Sequence, residues 1–141
     1  NVKFGTLTGS EAGLTNAVNN ALADAGMTID DIDAVFGFAN GMKAVDDVEI
    51  KGLTAVFGDK LAEKPVVELK EVLGESRAAA ATTAAAHAAL MFAGKIPSQE
   101  AYSIAADGSV SKTNVEASKL NNVLVAAYGA GGSYTAIVLS K

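Results

Sequence analysis

The feature that most restricts the fold is an alanine-rich stretch over residues 76–93, with alanine runs at 78–81 and 84–86. Alanine is the strongest helix former, and Gly94 followed by Pro97 is a typical helix end. The small side chains of such a helix allow neighbouring backbone to approach it closely. The stretch therefore predicts one helix that is packed closely against other elements of the fold.

Helical and strand-like segments alternate over the rest of the 141 residues. Apolar residues recur at i, i+3, i+4 and i+7 over residues 14–25, and a second helix is predicted over residues 44–57. The predicted strands, in chain order, cover residues 4–8, 32–39, 65–69, 101–105, 123–128 and 134–139. Residues 106–119 are polar and are expected to form a loop.

This order of elements predicts a single α/β domain over residues 1–141. We expect a layered mixed sheet covered by helices, in which the strands that are joined by helices run parallel. The last two strands are expected to form a terminal antiparallel hairpin, because the segment between them, residues 129–133, is rich in glycine.

Composition excludes several classes of function. The net charge of −5 opposes binding to nucleic acid, which needs clustered Lys and Arg. The chain has no cysteine and a single histidine, His87, so a thiolate or multi-histidine metal site cannot form within it. We expect neither a metal nor a cofactor. No apolar run approaches the ~20 residues that span a bilayer, and we expect a cytoplasmic protein without a membrane span.

Three further groups of residues have structural interpretations. Asp46, Asp47 and Glu49 lie near the start of a predicted helix, where carboxylates stabilise the helix dipole, and this interpretation is favoured over a metal site. His87 is interpreted as a partly exposed helix histidine. The glycines of the hairpin lack the strand–Gly-x-Gly-x-x-Gly–helix context of a dinucleotide site, so a tight turn is the better interpretation.

The segment 69–80 reads Leu-Lys-Glu-Val-Leu-Gly-Glu-Ser-Arg-Ala-Ala-Ala. It resembles the Lys-Ser-x-x-Gly-His-x-x-Gly-Ala-Ala-Gly segment of the β-ketoacyl-acyl-carrier-protein synthases, or ketosynthases. Other phrases are similar to that family in the same order, at residues 13–14, 24–26, 28–33, 56–59, 94–97 and 129–133. The resemblance implies the carboxy-terminal half of a thiolase-like fold, and hence one domain of a longer parent chain.

The resemblance also implies that both catalytic histidines of the family are replaced. The window for the first, His-Gly-Thr-x-Thr, begins here at Phe38, whose side chain can neither donate a hydrogen bond nor accept a proton. Glu75 stands in place of the second, where a carboxylate would repel a developing enolate. Lys70 is retained, but its usual carboxylate partner maps onto Ala84. We therefore predict a structural ion pair between Lys70 and Glu75, which is favoured over a catalytic acid–base pair.

The closing Gly-Phe-Gly-Gly-Thr loop of the family is similar to the segment that begins Gly129, Ala130, Gly131 and Gly132. The resemblance implies that these residues form the substrate-gating loop. Ala130 replaces the large Phe of that loop, and Tyr134 stands where members of the family often carry Asn.

The resemblance leaves three functions open. The leading one is a non-catalytic ketosynthase-like subunit of fatty acid or polyketide biosynthesis, similar to chain-length factors, that shapes the pocket for the growing acyl chain. The second is a divergent active acyltransferase, a β-ketoacyl synthase whose cysteine nucleophile lies in the missing amino-terminal half. The third is a purely structural dimerisation domain. The implied partners are an acyl carrier protein, met through the full assembly, and a ketosynthase in a homo- or heterodimer; the chain alone is predicted to be inactive.

Overall fold

The computed structural model describes residues 10–74, 79–129 and 131–141. The helices among these residues are α1 (Glu11–Ala25), α2 (Lys43–Phe57), α3 (Lys70–Leu73) and α4 (Ala80–Phe92). The strands are β1 (Ala34–Phe36), β2 (Val66–Val67), β3 (Ser98–Ile104), β4 (Val110–Glu116), β5 (Asn122–Gly129) and β6 (Ser133–Ser140). Short 3-10 turns cover Ile29–Asp31, Gly58–Glu63 and Ala117–Lys119. The strand predicted over residues 4–8 lies outside the described residues.

The described strands form one mixed sheet in the order β4-β3-β2-β1-β5-β6. β1 runs parallel to both of its neighbours, with Val35 opposite Val66 on one side and Leu124 on the other. β5 and β6 form an antiparallel hairpin in which Val125 lies opposite Ile137. The predicted α/β class, with a mixed sheet and a terminal antiparallel hairpin, is confirmed, although β1 and β2 are shorter than the segments predicted for them.

The prediction that residues 106–119 form a loop is wrong, because β4 lies within this segment. β4 pairs with β3 along its length, with Thr113 opposite Ala101. It is an edge strand, and Val115 is its one buried residue. An edge strand that exposes both faces does not need alternating apolar residues, and polar residues there discourage pairing with other chains. Its composition therefore resembles that of a loop.

β3 runs antiparallel to β2, with Tyr102 opposite Val66, although helices connect the two strands. The expectation that all helix-connected strands run parallel is therefore wrong at this position. A single helical crossover returns the chain to the start of a parallel strand. Here the connection contains both α3 and α4, and the chain enters β3 from the end of the sheet at which β2 finishes.

Helices cover both faces of the sheet. α1 and α2 lie on one face, where Leu14, Val18 and Leu53 belong to the same buried cluster as Val35 and Leu124 of the strands. Apolar residues at helical spacing on α1 thus meet a sheet whose central strand is buried on both faces. This packing fixes the position of the loop that follows β1.

The alanine-rich helix α4 covers the opposite face of the sheet. Its buried residues are Ala84, Ala88 and Met91, which share a cluster with Phe36 of β1. The predicted helix is confirmed over the bounds of α4, whereas residues 76–78 lie outside the described residues. Within the described parts of the chain, no helix is both long enough and apolar enough to cross a membrane.

Candidate functional site

Phe38, at the position implied for the first catalytic histidine, follows β1 and is buried. Its ring centroid lies 5.8 Å from that of Tyr128 and 6.3 Å from that of Tyr134, and the two tyrosine centroids are 5.4 Å apart. Such distances are typical of packed aromatic side chains. Val45 and Val48 of α2 line the same space, in which no room remains for a water molecule. We call Phe38, Tyr128 and Tyr134 the aromatic cluster.

The glycine-rich hairpin places the two tyrosines of the aromatic cluster opposite each other as a cross-strand pair. At its turn, the N–H of Gly132 donates a 3.1 Å hydrogen bond to the carbonyl oxygen of Gly129. Gly131 has φ of +128°, a conformation that only glycine adopts without steric cost. Ala130 lies outside the described residues. The segment implied as a gating loop is thus the turn of a hairpin whose strands pack beside Phe38.

The Tyr134 hydroxyl ties this hairpin to the start of α1. It accepts a hydrogen bond from the N–H of Ser10, which lies 124 residues away in sequence, and burial raises the pKa of Tyr134. A Cβ atom at Gly13 would lie 2.6 Å from the Tyr134 ring, so the ring packs directly on the backbone of α1. Sequence reasoning noted Tyr134 only as a difference from the family and missed this packing.

Glu49 of α2 is a fully buried carboxylate that holds the loop after β1. Its Oε1 accepts the N–H of Phe38 at 2.5 Å, and its Oε2 accepts the N–H of Ala39 at 3.0 Å. Asp46, in the first turn of α2, accepts the N–H of Asn40 at 2.9 Å. The interpretation of Glu49 as a carboxylate at the helix dipole is wrong, because its side chain lies in the second turn and binds loop amides instead.

Glu68, immediately after β2, places a second carboxyl group against that of Glu49. A Cβ atom at Gly37 would lie 2.2 Å from Glu68 Oε1 and 2.7 Å from Glu49 Oε1, so glycine leaves room for both groups. Burial, followed by the negative charge of Glu49, raises the pKa of Glu68 well above its ordinary value. Burial also raises the pKa of Glu49, but the hydrogen bond from Glu68 opposes this rise. Glu68 therefore holds the proton and donates it to Glu49, and we call these two residues the carboxyl pair.

Lys70 begins α3 two residues after Glu68. Its charge lowers the pKa of Glu68, although burial of the Glu68 carboxyl has the larger effect. The ion pair predicted between Lys70 and Glu75 stays a prediction, because Glu75 lies outside the described residues. Ala84, to which the family's carboxylate partner maps, is buried on α4. Sequence reasoning thus found Lys70 but missed the carboxyl group of Glu68 near it.

Four carboxyl groups line one cavity of about 200 Å³. Asp46 and Glu71 join the carboxyl pair around it. The hydroxyl of Tyr102 donates a hydrogen bond to Glu71 at the same cavity, and this bond raises the pKa of Tyr102. The apolar walls are Ile50, Val66, Ile104 and Val110. We call this space the acidic cavity.

His87 is half-buried on α4, and its ring centroid lies 6.0 Å from that of Phe36. Burial lowers the pKa of His87, and a hydrogen bond with Gln99 opposes this shift, so the imidazole is neutral at pH 7. Asp47 forms an exposed 2.8 Å ion pair with Lys43 one turn away. No group of three or more His, Asp or Glu side chains in the described ranges is arranged to hold a metal ion.

Comparison with known proteins relates the chain to one family. The model of the beta-ketoacyl synthase C-terminal domain matches residues 3–103. The chain is 31% identical over 134 residues to a Streptomyces coelicolor protein named "Putative polyketide beta-ketoacyl synthase 2", a match that covers 94% of this chain and 32% of that protein. The chain thus spans about a third of the length of the curated relatives it matches.

Two solved structures share the fold. The ishigamide ketosynthase/chain length factor is 25% identical with a TM-score of 0.76, over 96% of this chain and 34% of that chain. A type II acyl-carrier protein in complex with its ketosynthase bound to the hexaketide is 17% identical with a TM-score of 0.73, over 97% of this chain and 35% of that chain. The expected thiolase-like half is confirmed.

Proposed function

The chain belongs to the beta-ketoacyl synthase family, as a C-terminal domain, and from this premise we propose that it acts as a non-catalytic subunit of a polyketide-forming ketosynthase. In this role it shapes the pocket that holds the growing acyl chain, while a partner ketosynthase supplies the cysteine nucleophile. An acyl carrier protein delivers the substrate to the full assembly. The similarity to a ketosynthase/chain length factor supports the pairing with a ketosynthase.

The observation that carries the proposal is the aromatic cluster at Phe38. A hydrogen-bond donor aimed at a developing oxyanion is worth about 100- to 1,000-fold in rate. The buried phenyl ring supplies no such donor, and the packing around it leaves no space for a water molecule to replace one. The nearest loop amides, those of Phe38 and Ala39, already donate to Glu49. The loop after β1 therefore offers a developing enolate no stabilisation from this position.

The aromatic cluster also supports the proposed role in shaping the pocket for the acyl chain. Tyr128 and Tyr134 stand side by side at the end of the hairpin, and Phe38 packs against both of them. The buried Phe38 ring and the two partly exposed tyrosine rings pack on one another and form a wall, because moving one ring would break its contacts with the others. A wall of this kind limits how far a flexible acyl chain can extend in an adjoining pocket.

The proposal is tested by reconstituting the full-length protein with a ketosynthase and a malonyl-loaded carrier protein, and measuring product lengths by mass spectrometry. Tyr128→Ala removes one ring of the aromatic cluster and should shift the products towards longer chains. Tyr102→Ala, which removes a tyrosine ring at the acidic cavity instead, should leave the distribution unchanged. Circular dichroism confirms that both variants are folded. If Tyr128→Ala gives the wild-type product lengths, the shaping role is wrong and a purely structural dimerisation domain is favoured.

A further inference from the structure

We propose that Asn40 and Gly41, in the loop after β1, form a site of spontaneous covalent modification at which the fold promotes loss of the Asn40 side-chain amide as ammonia. Asn40 is the one asparagine of the sequence that is followed by glycine. Glycine has no Cβ atom, so its backbone nitrogen is open to a neighbouring side-chain carbonyl. The dipeptide makes the reaction possible, and the geometry of the loop determines its rate in the folded protein.

The reaction is an intramolecular acyl transfer followed by hydrolysis. The backbone nitrogen of Gly41 attacks Cγ of Asn40, a new C–N bond closes a succinimide ring, and Nδ2 leaves as ammonia with the proton of the Gly41 N–H. One water molecule then opens either carbonyl of the ring. Opening at Cγ gives aspartate, whereas opening at the backbone carbonyl gives isoaspartate, in which the main chain runs through Cβ. Both products carry a new carboxylate, and water is the only co-reactant.

The side chain of Asn40 is already held in a turn that favours this attack. Its Oδ1 accepts the N–H of Met42 at 3.1 Å, a hydrogen bond that asparagine commonly forms with the backbone two residues on. The ring closed by this hydrogen bond contains both Cγ of Asn40 and the nitrogen of Gly41. Negative charge grows on Oδ1 as the nitrogen attacks, and a donor aimed at a developing oxyanion accelerates acyl transfer. The Met42 N–H is therefore placed to stabilise the transition state.

The nitrogen of Gly41 is available as the nucleophile. Among the described residues, the Gly41 N–H donates no hydrogen bond, and residues 41–44 are exposed. Gly41 has φ of +82°, and no other part of the described structure lies within 4 Å of the position that a Cβ atom would take. Water and hydroxide can therefore reach both the nitrogen and the succinimide that it forms.

Asp107 and Gly108 form the same turn without an available nitrogen. Asp107 Oδ1 accepts the N–H of Ser109 at 2.9 Å, as Asn40 does from Met42. The Gly108 N–H, however, donates to the carbonyl oxygen two residues before Asp107 at 2.8 Å. The hydrogen bonds from Ser109 also lower the pKa of Asp107, so its side chain is a carboxylate and resists nucleophilic attack. Isoaspartate should therefore form more slowly here than at Asn40.

The modification would change the loop that carries Phe38. The N–H of Asn40 donates to Asp46 Oδ1 at 2.9 Å, so a carboxylate at residue 40 would lie near an existing one and be repelled by it. Isoaspartate would also add one backbone atom between Ala39, whose N–H Glu49 holds, and the start of α2. Either product should weaken the attachment of this loop to α2.

Peptide mapping by mass spectrometry tests the site in the full-length protein during incubation for several weeks at pH 7. The exchange of NH₂ for OH gives a mass increase, and electron-transfer fragmentation distinguishes isoaspartate from aspartate. We expect Asn40 to convert at least about tenfold faster than Asn114, which valine follows in β4. Because the fold supplies the donor to Oδ1, Asn40 should also convert at least as fast in the folded protein as in protein unfolded in guanidinium chloride.

Two proline variants separate the geometry from the dipeptide. Met42→Pro keeps Asn40 and Gly41 but removes the N–H that donates to Oδ1, and the φ of −89° at Met42 is close to the range of proline. Its rate of conversion should fall by about tenfold or more. Lys43→Pro is the matched control, because proline is well tolerated at the first position of a helix and the Met42 donor remains. Its rate should equal that of the wild type.

Three results would each overturn the proposal. These are equal rates at Asn40 and Asn114, slower conversion in the folded protein than in the unfolded chain, and an unchanged rate in Met42→Pro. The first two use the wild-type protein alone, so they decide the matter even if Met42→Pro does not fold. None of the three depends on whether the subunit condenses acyl groups.

Discussion

Replacing Glu68 with glutamine should remove most of the pH dependence that the carboxyl pair gives to the stability of this domain. Glutamine has the same shape as a protonated glutamic acid, and its amide can donate to Glu49 in place of the carboxyl proton. The substitution therefore keeps the hydrogen bond and removes the group that must stay protonated. The variant should fold as the wild type does.

The sign of the effect follows from the raised pKa of Glu68. The folded protein binds this proton more tightly than the unfolded chain, in which the pKa is near 4.5. The contribution of Glu68 to the free energy of unfolding is therefore greatest below about pH 4.5 and falls as the pH rises towards the folded pKa. Within that window one group changes the free energy of unfolding by at most about 1.4 kcal/mol per pH unit. Glu68→Gln should lose this slope and be more stable than wild type at pH 8.

Glu49→Gln is the informative contrast, because the two carboxyl groups have different partners. Both oxygens of Glu49 accept backbone N–H groups, at 2.5 and 3.0 Å. A glutamine has one accepting oxygen, so its NH₂ group would face one of these buried amides. Leaving a buried donor without an acceptor costs about 1–3 kcal/mol. Glu49→Gln should therefore lower the free energy of unfolding at every pH from 5 to 8.

The assay is urea unfolding at pH 5, 6, 7 and 8, followed by circular dichroism and tyrosine fluorescence. The exposed Glu63→Gln is the matched control and should follow the wild-type curve. A wild-type slope in Glu68→Gln would refute the assignment of the proton to Glu68. Equal destabilisation by Glu68→Gln and Glu49→Gln would show that the two carboxyl groups have equivalent roles. Their different hydrogen-bond partners predict the opposite.

Three further predictions concern packing and hydrogen bonds, each checked by urea unfolding at pH 7. Ala88→Leu should overpack the contact between α4 and the sheet and cost about 1–3 kcal/mol, whereas Ala23→Leu, on the exposed side of α1, should cost little. Gly37→Ala should force the carboxyl pair apart, because its Cβ would lie 2.2 Å from Glu68 Oε1. It should destabilise the fold by about 1–3 kcal/mol. An unchanged free energy of unfolding would contradict the close approach of Glu68 to Gly37. Tyr134→Phe should cost about 1 kcal/mol through loss of the hydrogen bond from the Ser10 N–H, and an unchanged midpoint would count against that bond.

The helices and the terminal hairpin could be predicted from the sequence because each is specified locally. Helical spacing of apolar residues and the positions of Gly26 and Gly94 predicted α1 and the end of α4 closely. β4 could not be predicted in the same way, because it is a polar edge strand with a single buried residue, Val115. The direction of β3 depends on the path of two helices through space, which periodicity does not encode.

The same distinction applies to the candidate site, because some of its residues could be identified from the sequence and others could not. Phe38 could be identified from the sequence alone, because it occupies a known position in a family motif. Its neighbours Tyr128 and Tyr134 lie about 90 or more residues away in sequence, and only the closing of the sheet brings them together. The carboxyl pair was missed because Glu49 matched a helix-dipole pattern and Glu68 lay within a predicted strand. The signal available in the sequence was the position of Glu49 on the inward, apolar side of α2.

The non-catalytic role is tested by measuring decarboxylation of a malonyl-loaded carrier protein by the full-length protein without a ketosynthase partner. We expect no turnover above the background rate, because the buried ring of Phe38 supplies no donor to the enolate. Addition of a ketosynthase should restore turnover in proportion to the amount of complex formed. Turnover by the protein alone would show that the non-catalytic role is wrong and would identify a divergent acyltransferase in which Phe38 does not disable the site.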